Sequence, residues 1–288
     1  MKRRRFLGQT LTTAAGLALT ARPLISQNQT VRFGLTPVFL SNDLALLNNL
    51  EKYLSQATGF DVELVQKRTY QEITTLLVAG QLDAAWICGY PYIRFQEALE
   101  LLSVPVWRGR PAYRAFLIGA LGREASTIDD LRGDLHCFSD PDSNSGYLVT
   151  SALLADRSTN PSEFFSKSFF SYGHRNVVRA VASRLAQSGS VDGYVWEVLG
   201  HIEPELTQRT KVIWRSDWLG FPPLAAPKSS AGTPKFRAIQ QALLTMHTDP
   251  LGAEILGLLK LDKFGRPGGV DYFKIAEMIR KVHVQDQR

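Results

Sequence analysis

Residues 61–88 read DVELVQKRTYQEITTLLVAGQLDAAWIC. "DVELV" is a short apolar run with the length of a strand. Thr69 follows, with Glu72 three residues later, the capping-box pattern that opens a helix. That helix keeps an apolar face and closes at Gly80. "DAAWIC" (83–88) is again too short and too apolar for anything but a buried strand. Strand, helix and strand in 28 residues form a crossover unit, and crossover units build parallel sheets covered by helices.

The same alternation extends both ways. Upstream, "VRFGLT" (31–36) is a strand, and "DLALLNNLEKYLSQATG" is a helix with Leu44, Leu47, Leu50 and Leu54 on its apolar face and Gly59 as its stop. Downstream, "PYIRFQEALE" reads as a helix with proline in its first turn. The pattern then restarts. "YRAFLIGAL" (113–121), "LHCF" (135–138), "SFFSY" (168–172), "VDGYVW" (191–196) and "KVIWRS" (211–216) read as strands. Residues 145–155, 161–166 and "HRNVVRAVASRLAQ" read as helices, and late helices start at "TPKF", "DPLG" and near "VDYF" with no strands of their own to cover. "AGQLDAA" (79–85) and "SGSVDGY" (188–194) share one form, small–Gly–x–aliphatic–Asp–small, which suggests two similar lobes. The expected fold is therefore α/β and two-lobed, each lobe a mostly parallel sheet flanked by helices, with a ligand cleft where the strands end. One lobe is expected from 28–110 plus 222–288, the other from 111–221.

The chain has 288 residues and a formal charge of +6. Lys2, Arg3, Arg4, Arg5 and Arg22 lie in the first 26 residues, which hold no acid; the remainder sets 28 basic residues against 27 acidic ones. The basicity thus belongs to an export signal and gives no reason to expect a nucleic-acid partner. "RRRFL" matches the twin-arginine pattern, with a Sec-type signal as the plainer alternative. The small-residue pattern at Ala18–Ala21 is blurred, so cleavage and a retained anchor both stay open. The periplasm is the expected location. Cys88 and Cys137 follow no metal spacing, and an exported compartment permits a disulfide between them.

The stretch "SDPDSNSGY" (139–147) joins the strand "LHCF" to a helix. Ser143, Asn144, Ser145 and the free N–H groups of a first helical turn converge there, which is the chemistry of an anion seat; the plain reading is a serine that caps a helix. Tyr70, Tyr90, Tyr92, His174 and Glu197 stand at other expected strand ends and join it as ligand-binding candidates. Asp140 is expected to turn back to the amides of its own loop, and Asp142 to accept a proton from a protonated ligand. No nucleophile elbow, metal-ligand spacing or dinucleotide glycine loop appears, so neither an enzyme nor a cofactor is expected.

From about residue 31 to 265 the chain resembles the phosphate/phosphite/phosphonate-binding proteins of bacterial uptake transporters, which have the type II periplasmic-binding fold. The likeness is most specific at Asp140-Pro141-Asp142-Ser143-Asn144-Ser145-Gly146-Tyr147, where the two serines match the family's oxyanion-binding hydroxyls. The family usually has Asn and Thr where this chain has Asp142 and Asn144. Gly173-His174, Tyr70 and Glu197 match ligand-contacting positions. An aspartate found after "VIW" in aminoalkylphosphonate binders is out of place here, which favours a small bare oxyanion. The resemblance implies a monomeric solute-binding protein that closes on its ligand by hinge motion and serves an inner-membrane ABC permease. The alternative it leaves open is a ligand sensor partnering a histidine kinase, since some relatives bind arsenite through a cysteine, here Cys88.

Overall fold

The computed structural model describes residues 30–37 and 44–287. The signal segment expected at 1–26 lies outside the described residues. The chain begins β1 (Val31–Leu35), α1 (Leu44–Thr58), β2 (Val62–Gln66), α2 (Tyr70–Val78), β3 (Ala84–Trp86), α3 (Gly89–Arg94) and β4 (Leu99–Val106). It continues β5 (Ala112–Tyr113), β6 (Ala115–Ala120), β7 (Leu135–Phe138), α4 (Val149–Ala155), α5 (Pro161–Phe164), β8 (Lys167–Phe170), α6 (His174–Ala182), β9 (Ser188–Asp192), α7 (Gly193–Ile202), α8 (Pro204–Thr207) and β10 (Thr210–Arg215). It ends β11 (Leu219–Gly220), β12 (Leu224–Pro227), α9 (Pro234–Thr245), α10 (Pro250–Leu259), β13 (Lys263–Gly265) and α11 (Phe273–Asp286).

Two sheets form. The first has the order β13-β4-β12-β3-β1-β2 and the second β10-β6-β9-β7-β8. Within the first, β1 pairs parallel with β2 and β3, whereas β12 and β13 pair antiparallel with β4, and β12 also with β3. In the second, β7 lies parallel to β8 and β9, and β6 runs antiparallel to β9 and β10. The parallel halves are the consecutive strand–helix units visible in the sequence. The antiparallel partners are added by strands that arrive from elsewhere in the chain. Two connections join the sheets, and they meet as an antiparallel ribbon of β5 and β11, with Leu219 opposite Tyr113 and Gly220 opposite Ala112.

Three elements differ from the sequence expectations. "PYIRFQEALE" is helical only to Arg94; β4 follows, because "LELLSVPV" is sandwiched between β12 and β13 and sheet pairing there overrides local preference. "VDGYVW" is a strand only to Asp192. The Asp192 Oδ1 accepts from the N–H groups of Tyr194 (2.8 Å) and Val195 (3.2 Å), so a cap starts α7 where β-prone residues suggested more strand. For the same reason the two Asp-containing echoes are not equivalent: Asp83 stands before β3, whereas Asp192 ends β9. Nor are the late helices without strands of their own region, since β12 and β13 accompany them into the first sheet.

On α1 the buried stripe is Leu46, Leu50, Tyr53 and Leu54, while Leu44 is 73% exposed. This is the i, i+4, i+7, i+8 face of a 3.6-residue helix, one step from the stripe expected. It packs under α9 and α10, and Tyr53 donates its hydroxyl to the Ala242 carbonyl at 2.6 Å. The C-terminal α11 instead touches both halves of the molecule, lying on α3 and on α4, with its buried Ile275 against Leu148 and Tyr272. Burying side chains of this size stabilises by roughly 1.5–3 kcal/mol each.

The second sheet contains a polar chain within its core. Both ring nitrogens of His136 are 2.8 Å from serine hydroxyls, Ser188 and Ser190, and the Ser190 hydroxyl is 2.6 Å from that of Thr150 on α4. The ring stacks on Phe165 at 4.1 Å. Burial, reinforced by the Arg123 charge, lowers its pKa to about 3; burial alone does the same to His174, also to about 3. Both histidines titrate near 6.5 when unfolded. Between about pH 3 and 6.5 the unfolded chain therefore binds protons that the folded chain refuses, and stability rises with pH across that window. Asp192, raised by burial to about 7, and Asp140, also raised by burial, work in the opposite direction above about pH 4, so two histidines are set against two acids, and the histidines carry the larger displacements. We expect the melting temperature to fall steadily as pH drops from about 6.5 to 4, and a His136→Asn variant to show a shallower slope. An unchanged slope in that variant would show that His136 is not buried neutral.

Candidate ligand-binding site

Five strands of the two sheets end where a helix begins, and the residues at those five junctions meet. After β2, Thr69 caps α2: its hydroxyl accepts from Glu72 N–H, and the Glu72 carboxylate returns to Thr69 N–H at 3.0 Å. This capping box sets Tyr70 as the first helical residue. After β3, Cys88 precedes α3. After β7, Ser143 caps a wide π turn, Asn144–Leu148, that leads into α4. After β8, Gly173 precedes His174, the first residue of α6, and after β9 Asp192 caps α7. Tyr70, Cys88, Ser143, Asn144, Ser145, His174 and Asp192 are all buried.

The hydrogen bonds among them run between the two sheets. Tyr70 Oη lies 3.3 Å from His174 Nε2, and Tyr70 N–H donates to Asp140 Oδ2 at 3.2 Å. Asn144 N–H donates to Cys88 Sγ at 3.2 Å, and the Asn144 amide donates through Nδ2 to the Tyr113 hydroxyl at 2.8 Å. Gly146 is obligatory in this loop: a Cβ there would lie 1.8 Å from Ser139 Oγ.

Proton positions follow from this pattern. Asp192 N–H donates to His174 Nδ1 at 3.1 Å, so Nδ1 is an acceptor. With the ring neutral, its proton sits on Nε2 and points to the Tyr70 oxygen. Tyr70 is then left with its own O–H free to donate elsewhere. Ser143 Oγ accepts from Gly146 N–H at 3.0 Å and likewise keeps its O–H. Burial raises Tyr70 and Tyr113 well above the usual tyrosine range and Cys88 to about 12, so these groups remain protonated donors. Among the described residues, no Lys or Arg side chain enters these hydrogen bonds. Apart from the Asp140 and Asp192 carboxyl groups, which accept backbone N–H bonds, the cluster consists of neutral donors in a water-excluded place, which suits an anion held by dipoles rather than by counter-charge.

Residues 33–272 match the family model described as "ABC transporter, phosphonate, periplasmic substrate-binding protein". The chain belongs to this family. Among curated proteins, the phosphate-import protein PhnD of Mycolicibacterium smegmatis is 26% identical over 215 residues, which cover 69% of this chain and 66% of that protein, just under two thirds of its length. Among solved structures, the binding-protein component of an ABC phosphonate transporter from Pseudomonas aeruginosa superposes with a TM-score of 0.82 at 21% identity, over 90% of this chain and 88% of that one. PhnD1 of Prochlorococcus marinus, solved with methylphosphonate, gives 0.78 at 18% identity over 88% and 98%. These likenesses place the fold among type II periplasmic binding proteins. A solute-binding family of this kind is periplasmic, and no helix among the described residues is long and apolar enough to cross a membrane.

In this phosphonate-binding-family chain, Tyr70, Ser143, Asn144, Ser145 and His174 come together. Tyr90 and Tyr92 do not share their hydrogen bonds. Tyr90 is half-buried on α3, with the Arg94 guanidinium 5.6 Å from its ring, and Tyr92 packs on Tyr272 at 5.3 Å. Glu197 lies more than a turn beyond the strand end, because α7 already starts at Gly193, and it pairs with Arg108 at 2.6 Å. Asp140 does turn back, accepting Asp142 N–H at 2.8 Å, but its other oxygen reaches Tyr70 of the facing sheet. Asp142 is engaged by Arg94 at 2.9 Å through one of its oxygens. Tyr113 and Ser139 were missed. Tyr113 sits in the ribbon between the sheets, and no local signal sets it apart from the strand that follows.

Cys88 and Cys137 are both free and buried. Among the described residues no group of three or more His, Cys, Asp or Glu is placed to hold a metal ion. One thiol, kept protonated by its burial, offers little to a soft centre that needs thiolates. Cys88→Ser keeps an acceptor for Asn144 N–H. We expect calorimetry to detect no arsenite binding to the wild type, and Cys88→Ser to retain oxyanion affinity within about threefold. Micromolar arsenite binding that disappears in this variant would reverse the assignment.

Proposed function

We propose that this chain is the solute-binding component of an ABC uptake system, and that it binds a small phosphorus oxyanion, a phosphonate, phosphite or phosphate, between two lobes. The lobes are 28–110 plus 222–288 and 111–221, and they close about the β5–β11 ribbon. The observation that carries this reading is the convergence of neutral donors from both sheets on one buried place, with Tyr70 on one side and Ser143, Ser145 and His174 on the other. A ligand there adds contacts to both lobes that only the closed arrangement has, which is how binding energy drives closure. The chain makes and breaks no bond. It acts as an exported monomer, carried by the twin-arginine route, and hands its ligand to an inner-membrane permease. Family membership and the names of the relatives support the class of ligand.

Ser143 and Ser145 separate the two roles of the loop. Ser143 already caps the turn through Gly146 N–H, so Ser143→Ala should lose about 0.5–2 kcal/mol of stability as well as ligand affinity. Ser145 has no capping bond, but its side chain hydrogen-bonds to Tyr113, so Ser145→Ala should lower stability by about 0.5–1.5 kcal/mol through that bond rather than through the helix cap. A hydrogen bond to a charged group is worth roughly 1.5–3 kcal/mol, so each variant should bind methylphosphonate, phosphite or phosphate about ten- to a hundredfold more weakly by calorimetry. Full affinity in both variants would remove the anion seat from this loop.

A further inference from the structure

Among the described residues, four ion pairs join the lobe 28–110 plus 222–288 to the lobe 111–221, and all four have the same polarity. Arg94 reaches Asp142 at 2.9 Å, Arg108 reaches Glu197 at 2.6 Å, Lys274 reaches Asp217 at 2.9 Å and Lys281 reaches Asp156 at 2.9 Å. The first lobe gives the cation each time, and the second gives the acid. The other five pairs each lie within one lobe. The composition of the lobes agrees with this polarity. The first holds 17 Lys and Arg against 14 Asp and Glu, and the second 11 against 13, so the facing bodies carry opposite net charge and attract.

The pairs differ in what opening would do to them. Arg108 stands just before β5 and Asp217 just before β11, beside the crossing, where a hinge moves the chain least. Arg94 closes α3 on the first lobe, and Asp142 lies in the serine loop after β7 on the second, so neither belongs to a segment that enters the ribbon. Rotation about the ribbon separates them. Both are held in place apart from each other. The Arg94 guanidinium lies 5.6 Å from the Tyr90 ring and 5.6 Å from the Phe95 ring, and Asp142 N–H donates to Asp140 Oδ1 at 2.8 Å. Groups ordered in this way lose less entropy on pairing. The Asp142 side chain is only 17% exposed, which limits its screening by water.

We propose that the seam between the lobes is a salt-sensitive electrostatic latch, with Arg94–Asp142 as the pair that opening breaks. This rests on the two-lobe closure given under Proposed function and adds what sets its equilibrium. Opposite charges on the facing lobes favour the closed arrangement independently of the ligand, so the ligand has only the remaining part of the closing equilibrium to shift. Ionic strength weakens the pairs and moves the protein toward the open form. The latch therefore acts on the ligand-free protein, which the donors of the binding cluster do not require.

Closure can be read directly from the distance between two nitroxides, one on Lys52→Cys of α1 and one on Ser168→Cys of β8, by pulsed electron double resonance. Both positions are exposed, whereas Cys88 and Cys137 are buried. In the ligand-free protein with the native latch, raising sodium chloride from about 50 mM to about 1 M should lower the closed-to-open ratio at least about threefold. At the lower salt Asp142→Asn should lower that ratio about two- to fivefold, and it should respond to the same salt step less than the native pair does. Exchanging the charges, Arg94→Asp together with Asp142→Arg, should restore the ratio to within about twofold. A ratio that salt leaves unchanged or raises, as chloride seated in the anion site would do, would overturn the proposal. So would an Asp142→Asn ratio equal to the native one, or a charge exchange that restores nothing. Failure of the underlying functional reading looks different: methylphosphonate, phosphite and phosphate would then neither bind by calorimetry nor shift the distances, while the salt and exchange results would still judge the latch.

Discussion

A single backbone N–H sets the polarity of the site. Asp192 gives its amide proton to His174 Nδ1, and burial denies the ring a second proton. The imidazole must then carry its hydrogen on Nε2, aimed at the Tyr70 oxygen, and the Tyr70 hydroxyl must aim its own proton elsewhere. One bond on the second sheet thereby orients a donor that belongs to the first. The same aspartate caps α7 with its side chain. The end of β9, the start of a helix and the tautomer of a histidine are consequences of one residue's geometry.

The rest of the cluster follows from where strands end. A strand end that opens a helix leaves N–H groups without intrahelical partners, and here most of those ends are buried, so each group finds a partner either in the cap of its own helix, as at Thr69, Ser143 and Asp192, or across the cleft. Tyr70 N–H finds Asp140, and Asn144 N–H finds Cys88. These bonds tie the sheets together at the site itself. The β5–β11 ribbon ties them at the crossing, and Tyr113 of that ribbon reaches Asn144. The C-terminal helix adds a third link by lying on both α3 and α4. Ligand contact, hinge and strap are thus mechanically connected through short paths of named atoms.

Much of this was legible beforehand because its causes are local. The capping box at Thr69 and Glu72, the glycine stops and the "LHCF" run each depend on a few adjacent residues, and they placed Tyr70, His174 and the serine loop at strand ends correctly. The errors share a cause as well. The helix expected at "PYIRFQEALE" runs past its true end at Arg94 into Leu99 and Glu100, the first residues of β4, because the strands that pair with β4, β12 and β13, lie more than a hundred residues away. The strand at "VDGYVW" was extended because Tyr, Val and Trp favour strands, and the two-bond cap at Asp192 outweighs that weak preference. Glu197 was drawn toward the site by that overextended strand; the early start of α7 carries it around the helix to Arg108.

The sequence by itself determined the α/β alternation, the resemblance to a binding-protein family, and the loop where hydroxyls and an amide gather. These rest on spacing, capping and motif chemistry, which act over one or two turns of chain. Only the tertiary structure decided which groups face each other: that Asp142 belongs to Arg94, that Tyr113 enters from the ribbon, and that Ser139 Oγ is left without a partner. Hydrogen-bond satisfaction is a property of what surrounds an atom in space, and the residues that surround these atoms come from both sheets and the ribbon between them.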